Sequence, residues 1–205
     1  MKLEAAKTGR MELHEAICIA LGPLPVWFIS TVGPDGVYNA APYSFVAPLG
    51  SKPAIVVVSF GLRNGQKKDT LKNIEYSHDF VINSVDEALL PQAVHASADY
   101  AYSVDEIKMT GLTAVKSDVV KSPRISEAKV SLECKLLQKL ELIEHYKDTV
   151  GLRGIVIGEV AMIHIKDEYW VDGKIDARKL GNVARIASNA YVTHGKYIEL
   201  KPPKV

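Results

Sequence analysis

PVWFISTVGPDGVYNAAPYS, residues 25–44, opens as an apolar run from Val26 to Val32 and breaks at Gly33-Pro34-Asp35-Gly36. It resumes at Val37 and closes on Asn39-Ala40-Ala41-Pro42-Tyr43-Ser44. Proline pre-sets the backbone dihedral of a turn's first central position, and Asp-Gly tolerates the positive φ that reverses a strand. The stretch therefore predicts a β-hairpin. Its closing segment carries an amide and a hydroxyl, Asn39 and Ser44, among small or ring-constrained neighbours. Such a surface admits a flat polar ligand to the backbone N–H and C=O groups; alternatively, both side chains satisfy their own backbone.

Working outward, Ala54 to Phe60 (AIVVVSF) is β-branched and bounded by turn residues, which predicts a buried strand after a loop over Pro48 to Pro53. Upstream, Met11, Ala16, Ile17 and Ala20 fall on one helical face before Gly22-Pro23 ends the pattern; a short strand is the competing reading. Downstream, Asp79 to Ser84 reads as a strand. Val85 to Tyr102 reads as a helix with Leu89, Ala93 and Ala96 on one face, and a second short helix ends at Gly111. Pro123 makes Ser117 to Ser126 a linker. Val130, Leu132, Cys134 and Leu136 alternate with Ser131, Glu133 and Lys135, the period of a half-buried strand, and the alternation continues through Leu137 to Ile143 with Lys139 and Glu141 outward. Gly154 to Ile165 is a further strand whose Gly158 marks a bulge or a close backbone approach. Trp170 to Asp176 is a turn, Tyr197 to Leu200 a closing strand, and Lys201-Pro202-Pro203 a tail.

The polar run from Ser59 through GLRNGQKKDT to Asn73 fails as a P-loop, because Gly61 and Gly65 are too close and no Gly-Lys-Ser/Thr follows. It offers Arg63, Lys67, Lys68 and the Thr70 hydroxyl at a helix start that Asp69 is placed to cap. Cations and free N–H groups there suit one phosphate monoester dianion, or form a solvated, lysine-rich helix start.

The chain has 205 residues, 47% hydrophobic and 24% charged, with a formal net charge of +1, which reads as one domain over 1–205 and implies no broad basic field for nucleic acid. Cys18 and Cys134 lack metal or CxxC spacing and read as reduced, buried thiols. The charged N-terminus has no signal-peptide core and no apolar run approaches membrane-spanning length, so the expected setting is cytoplasmic, without membrane contact. No GxSxG, HExxH or GxGxxG motif is present. The histidines form no ligand pair, and no metal is expected; His164 and His194 remain candidates to line a pocket. Trp27, Trp170 and Tyr43 offer rings for stacking, with Trp27 better placed in the hairpin core.

The ST-x3-DG-x2-NxAPYS ending of the hairpin, followed by KDTLKNI at 68–74, resembles the flavin reductase-like family of FMN-binding split β-barrels. The likeness continues through Phe80-Val81-Ile82-Asn83, Pro123-Arg124-Ile125, Leu132-Glu133-Cys134 and Gly158-Glu159-Val160. The resemblance implies a Greek-key antiparallel barrel flanked by short helices, mainly β, with FMN bound and no catalytic side chain. It implies that Asn39, Ala41, Pro42, Tyr43 and Ser44 lie beside the ring and ribityl chain, and that Ser59, Phe60 and Gly61 follow on the neighbouring strand end. Arg63, Lys68, Asp69 and Thr70 would surround the phosphate, and Arg185 would contribute from a later loop. In that loop the family's glycines are replaced by Ala187-Ser188-Asn189 before Tyr191. The implied activity is hydride transfer from NADH or NADPH to FMN, with electrons passed to free flavin, a partner monooxygenase or a small redox acceptor. A flavoredoxin-like FMN electron carrier is the alternative. A homodimer is also implied.

Overall fold

The computed structural model describes residues 2–63, 65–141, 152–193 and 195–200. Helix α1 spans Arg10–Leu21. The 25–44 stretch folds as expected: β1 (Trp27–Val32) and β2 (Tyr38–Tyr43) pair antiparallel from Trp27 opposite Tyr43 to Val32 opposite Tyr38, with Gly36 at φ +78° in the turn. Next come β3 (Val46–Ser51), β4 (Ala54–Arg63), α2 (Asp69–Ser77), β5 (Asp79–Ser84), α3 (Leu90–His95) and α4 (Glu106–Met109). The chain continues through β6 (Val130–Leu140), β7 (Leu152–Ile165), α5 (Ala177–Leu180), β8 (Ala184–Ala187) and β9 (Ala190–Val192).

One antiparallel sheet runs in the order β2-β1-β5-β6-β7-β4-β3, and its two end strands do not pair with each other. Pro42 sits on the edge strand β2, where a missing N–H costs no ladder bond. Each face of the sheet has its own core. Ile29, Val58, Phe60, Phe80, Ile82, Cys134 and Val156 fill the inside of the curl, which α2 closes with Leu71 and Ile74. Phe28, Ala40, Val85 and Val183 line the outside, under Leu89, Ala93 and Ala96 from the α3 region and Ile107 from α4. Phe28, Phe60 and Phe80 are fully buried, each side chain contributing roughly 1.5–3 kcal/mol of transfer free energy. Gly158 of β7 is the close approach its sequence suggested: a β-carbon there would lie 2.6 Å from the tip of the Phe80 ring.

Several expectations are corrected. The loop expected over 48–53 shrinks to the turn at Lys52-Pro53; Pro48 pairs opposite Val56 and Ser51 opposite Ala54 within β3, and the ladder absorbs a bulge before Gly50. The helix expected over 85–102 shrinks to α3, because Asp86 accepts the Leu89 N–H and turns the chain first; Leu89, Ala93 and Ala96 do form the buried face. Met11 and Ile17 of α1 are 64% and 44% exposed, and its buried residue is Cys18. Asp69 opens α2 as its first helical residue, with Lys68 at the cap position. Tyr197 to Leu200 is exposed and makes no ladder among the described residues. Part of the alternation past Glu141, His194 and the tail from Lys201 lie outside the described residues.

The largest correction concerns β6, where Ser131 and Glu133 are buried rather than outward. The 113–126 segment, with a short ladder between Ala114–Val115 and Arg124–Ile125, wraps this face and removes its solvent side. Glu133 accepts the backbone N–H groups of Asp118 and Val119 at 2.9 and 2.7 Å and meets His164 Nε2 at 2.6 Å. Asp79 accepts those of Lys121 and Ser122 at 2.9 and 3.1 Å and the Ser122 hydroxyl at 2.6 Å. Asn83 bridges between them, accepting from Ser131 and from the Ile125 N–H. Two buried carboxylates thus clasp the wrapping segment, and each hydrogen bond to a charged acceptor is worth roughly 1.5–3 kcal/mol.

Candidate functional site

The foot of α2 collects positive charge. Lys68 stands at its cap position, and its ammonium lies 5.0 Å from the centre of the Tyr43 ring. Burial lowers the Lys68 pKa, and the nearby guanidinium groups of Arg63 and Arg185 lower it further. Sequence-distant cations therefore meet here: Arg63 from the end of β4, Lys68 from α2, Arg185 from β8. Both arginines are held by backbone oxygens. Arg63 donates to Ser97 and Ala98 and pairs with Asp99 at 3.2 Å; Arg185 donates to Ala187 and Ser188 at 3.0 and 2.9 Å. The Ala187-Ser188-Asn189 replacement thus forms the turn that fixes Arg185. Helix geometry leaves the N–H groups of Asp69 and Thr70 outside the intrahelical ladder. The Asp69 carboxylate pairs with Lys72 at 2.8 Å.

Tyr43 joins this foot to the barrel interior. Its ring meets Phe60 edge-on with centroids 5.0 Å apart, and its buried hydroxyl lies against the Thr70 side chain. Burial pushes the phenol pKa well above its ordinary value. A recess of about 280 Å³ opens beyond, lined by Leu24, Ser44, Phe45, Val46, Val57, Ser59 and Ile155 together with Ala47. The Ser59 N–H donates to the Phe45 carbonyl at 3.0 Å, which ties β4 to the segment following β2 and sets the recess wall.

Behind the foot lies a buried polar network. Asn39 Nδ2 donates to Glu106 Oε1 at 2.9 Å, while Asn39 Oδ1 accepts from Thr70 at 2.8 Å and from Thr31 at 3.3 Å. Asn73 donates to Thr31 at 3.1 Å and accepts from Tyr102 at 2.7 Å. Burial raises the Glu106 pKa to about 7, against the pull of its own backbone N–H, the Asn39 amide and the Ala40 N–H, with the Asp69 charge adding repulsion.

The structure brings Tyr43, Arg63, Lys68 and Arg185 together at the foot, and Ser44 and Ser59 at the recess. Asn39 and Thr70 are 6% and 1% exposed, with polar atoms turned to each other, and Phe60 is core. Ala41 and Pro42 are half-buried on the edge strand and Gly61 is half-buried on β4. His164 sits on the outer face with Glu133 and Asp118, three side chains whose ligating atoms lie within 4.8 Å of one another beside the Arg124 guanidinium. Trp170 is 51% exposed on a separate hairpin. Leu24, Phe45, Ile155 and Glu106 were not singled out from sequence. The first three are ordinary apolar residues whose common recess is tertiary, and Glu106 reads in sequence like its neighbour Asp105.

A curled antiparallel sheet with unpaired ends, its inner core closed by one helix, defines a split β-barrel. The chain belongs to the flavin reductase like domain family, whose match covers residues 21–177. It is 32% identical to an uncharacterised protein of Halalkalibacterium halodurans, covering 100% of this chain and 98% of that one. Among solved structures it resembles nitrilotriacetate monooxygenase component B from Bacillus cereus, with 26% identity, 98% of each chain covered and a TM-score of 0.91. It also resembles the 2-nitrobenzoate 2-nitroreductase of Pseudomonas fluorescens, at 25% identity, 99% and 96% coverage and a TM-score of 0.86. Among the described residues no helix is long and apolar enough to cross a membrane.

Proposed function

We propose that the chain binds FMN at the foot of α2 and in the adjoining recess, and acts as an NAD(P)H-dependent flavin oxidoreductase. The observation that carries this reading is the meeting of Arg63, Lys68 and Arg185 at a helix start beside an apolar recess. Cations and a helix N-terminus match a phosphate monoester dianion, and an apolar cleft matches a fused planar ring. The donor set supports the fit, because Lys68, Arg63, Arg185 and the Asp69 and Thr70 N–H groups outside the helix ladder are donors alone and a phosphate brings acceptors alone. When bound, FMN supplies hydride acceptance at its N5 atom, so no side chain has to act as acid, base or nucleophile. In this reading Lys68, with Arg63 and Arg185, holds the phosphate. Ser44 and Ser59 orient the ring edge, and Leu24, Phe45, Val46 and Ile155 exclude water. A homodimer and an electron-accepting partner, a monooxygenase or small redox protein, belong to the same proposal, as does a cytoplasmic setting.

A flavoredoxin-like electron carrier is the second reading, favoured by a recess lining without any titratable side chain. One experiment addresses both. The purified chain is titrated with FMN and followed by visible absorption, then mixed anaerobically with NADH and NADPH in turn. Retained flavin bands that bleach with a nicotinamide are the expected result. Retained flavin that bleaches with neither favours the carrier, and a folded chain that takes up no FMN overturns the site.

A further inference from the structure

Glu106 is the first residue of α4, with Asp105 ahead of it accepting the Lys108 N–H at 3.1 Å. It is 6% exposed, its Oε1 takes the Asn39 amide at 2.9 Å, and its Oε2 has no hydrogen-bond partner among the described residues. A buried carboxylate with one oxygen unsatisfied is an expensive way to fill space. What it achieves is directional. An asparagine side chain has a donor end and an acceptor end, and the Glu106 Oε1 facing it takes the donor end. Glu106 therefore turns the Asn39 carbonyl oxygen toward Thr70 and Thr31. Thr70 lies in the first turn of α2 and Asn73, which donates to Thr31, in the next, so two turns of α2 are tied to the β1–β2 hairpin by a network whose polarity is set at Glu106. With the amide reversed, Thr70 and Thr31 would face an NH2 group and lose their acceptor.

We propose that Glu106 is a positioning residue for the phosphate end of the site, acting through Asn39 and Thr70 on the helix start that carries Lys68. The proposal rests on the flavin reading above and assigns Glu106 no contact with the flavin. Its signature is selectivity. FMN and riboflavin share the ring and ribityl chain and differ by the phosphate, so loosening the foot of α2 weakens FMN and spares riboflavin.

The test measures FMN and riboflavin affinity by fluorescence quenching for the wild type, Glu106→Ala and Glu106→Gln. Glu106→Ala is expected to weaken FMN about tenfold, the size of one lost buried hydrogen bond, with riboflavin unmoved. Glu106→Gln, whose amide oxygen still accepts from Asn39, is expected to restore most of the difference. Thr70→Val cuts the same chain without touching Glu106 and is expected to reproduce the FMN-selective loss, which keeps the test decisive should Glu106→Ala not fold. Equal losses for the two flavins, or unchanged FMN affinity in a folded Glu106→Ala, overturn the positioning role. A wild-type chain that binds neither flavin overturns the site itself.

Discussion

The Thr70 hydroxyl donates to the side-chain oxygen of Asn39 at 2.8 Å, joining the hairpin ending to the KDTLKNI segment 31 residues later. The two sequence signatures of the family are therefore one physical object, a strand and a helix start held by a single amide. The division of labour follows from burial. Thr70 gives its hydroxyl hydrogen to Asn39, whose amide is in turn taken up by Glu106, and Lys68, with Arg63 and Arg185, supplies the positive charge.

Lys68→Ala is expected to weaken FMN by about 10- to 100-fold, matching the roughly 1.5–3 kcal/mol of a hydrogen bond to a charged group, and to leave riboflavin unchanged. The wild-type Lys68 pKa is lowered by burial and then by the two arginines, so its charge is present at low pH and lost as pH rises through that lowered value. FMN affinity should fall on the alkaline side earlier than an ordinary lysine would allow, and Lys68→Ala should lack that limb. Titrations at several pH values check both points.

Glu106 makes a separate statement about stability. Its pKa is raised from 4.5 to about 7 on folding, so the folded chain holds a proton the unfolded chain has released. Stability from this group is complete below pH 4.5 and declines as pH rises to about 7, by an amount on the order of 3 kcal/mol at 1.36 kcal/mol per unit. Glu106→Gln removes the titration, so its advantage over the wild type should be larger at pH 8 than at pH 4 in urea denaturation. An unchanged difference would show that the carboxyl titrates normally.

Gly158→Ala drives a methyl group against Phe80 in the filled interior of the curl. A destabilisation of about 1–3 kcal/mol is expected, as for other overpacked cores. Phe80→Leu placed in the same chain should recover part of it, measured by the shift in denaturation midpoint.

Local chemistry made much of the fold legible. The hairpin, β5, the start of α2 and the approach at Gly158 follow from turn residues, alternation and a single glycine. β3 was hidden because Pro48 and Gly50 look like loop residues, although an edge ladder tolerates both. Glu133 was read as outward because alternation assumes one wet face, and here the 113–126 segment covers it. Tyr197 to Leu200 has strand-like residues but no ladder among the described residues. At the candidate site, the helix-start context is what singles out Lys68 in the sequence, while Glu106 depends on an asparagine 67 residues away, a separation no local pattern reports.

The clasp on the 117–122 segment also carries an expectation about the order of folding. Asp79 and Glu133 stand on β5 and β6, which pair Lys135 opposite Asp79 and Glu133 opposite Val81, so neither carboxylate is in place until those strands have met. The wrapping segment is therefore expected to close late, over a sheet already formed. Glu133→Gln should leave the folding rate nearly unchanged and speed unfolding by about 5- to 100-fold for a loss of roughly 1–3 kcal/mol, which stopped-flow chevrons would read. Its effect should fade in acid, because the Glu133 pKa is lowered by the donated N–H groups and His164 against its burial, and that stability disappears as pH falls through the lowered value. Chevrons of that form would make the lifetime of the folded barrel the property of a latch fastened after the barrel itself is built.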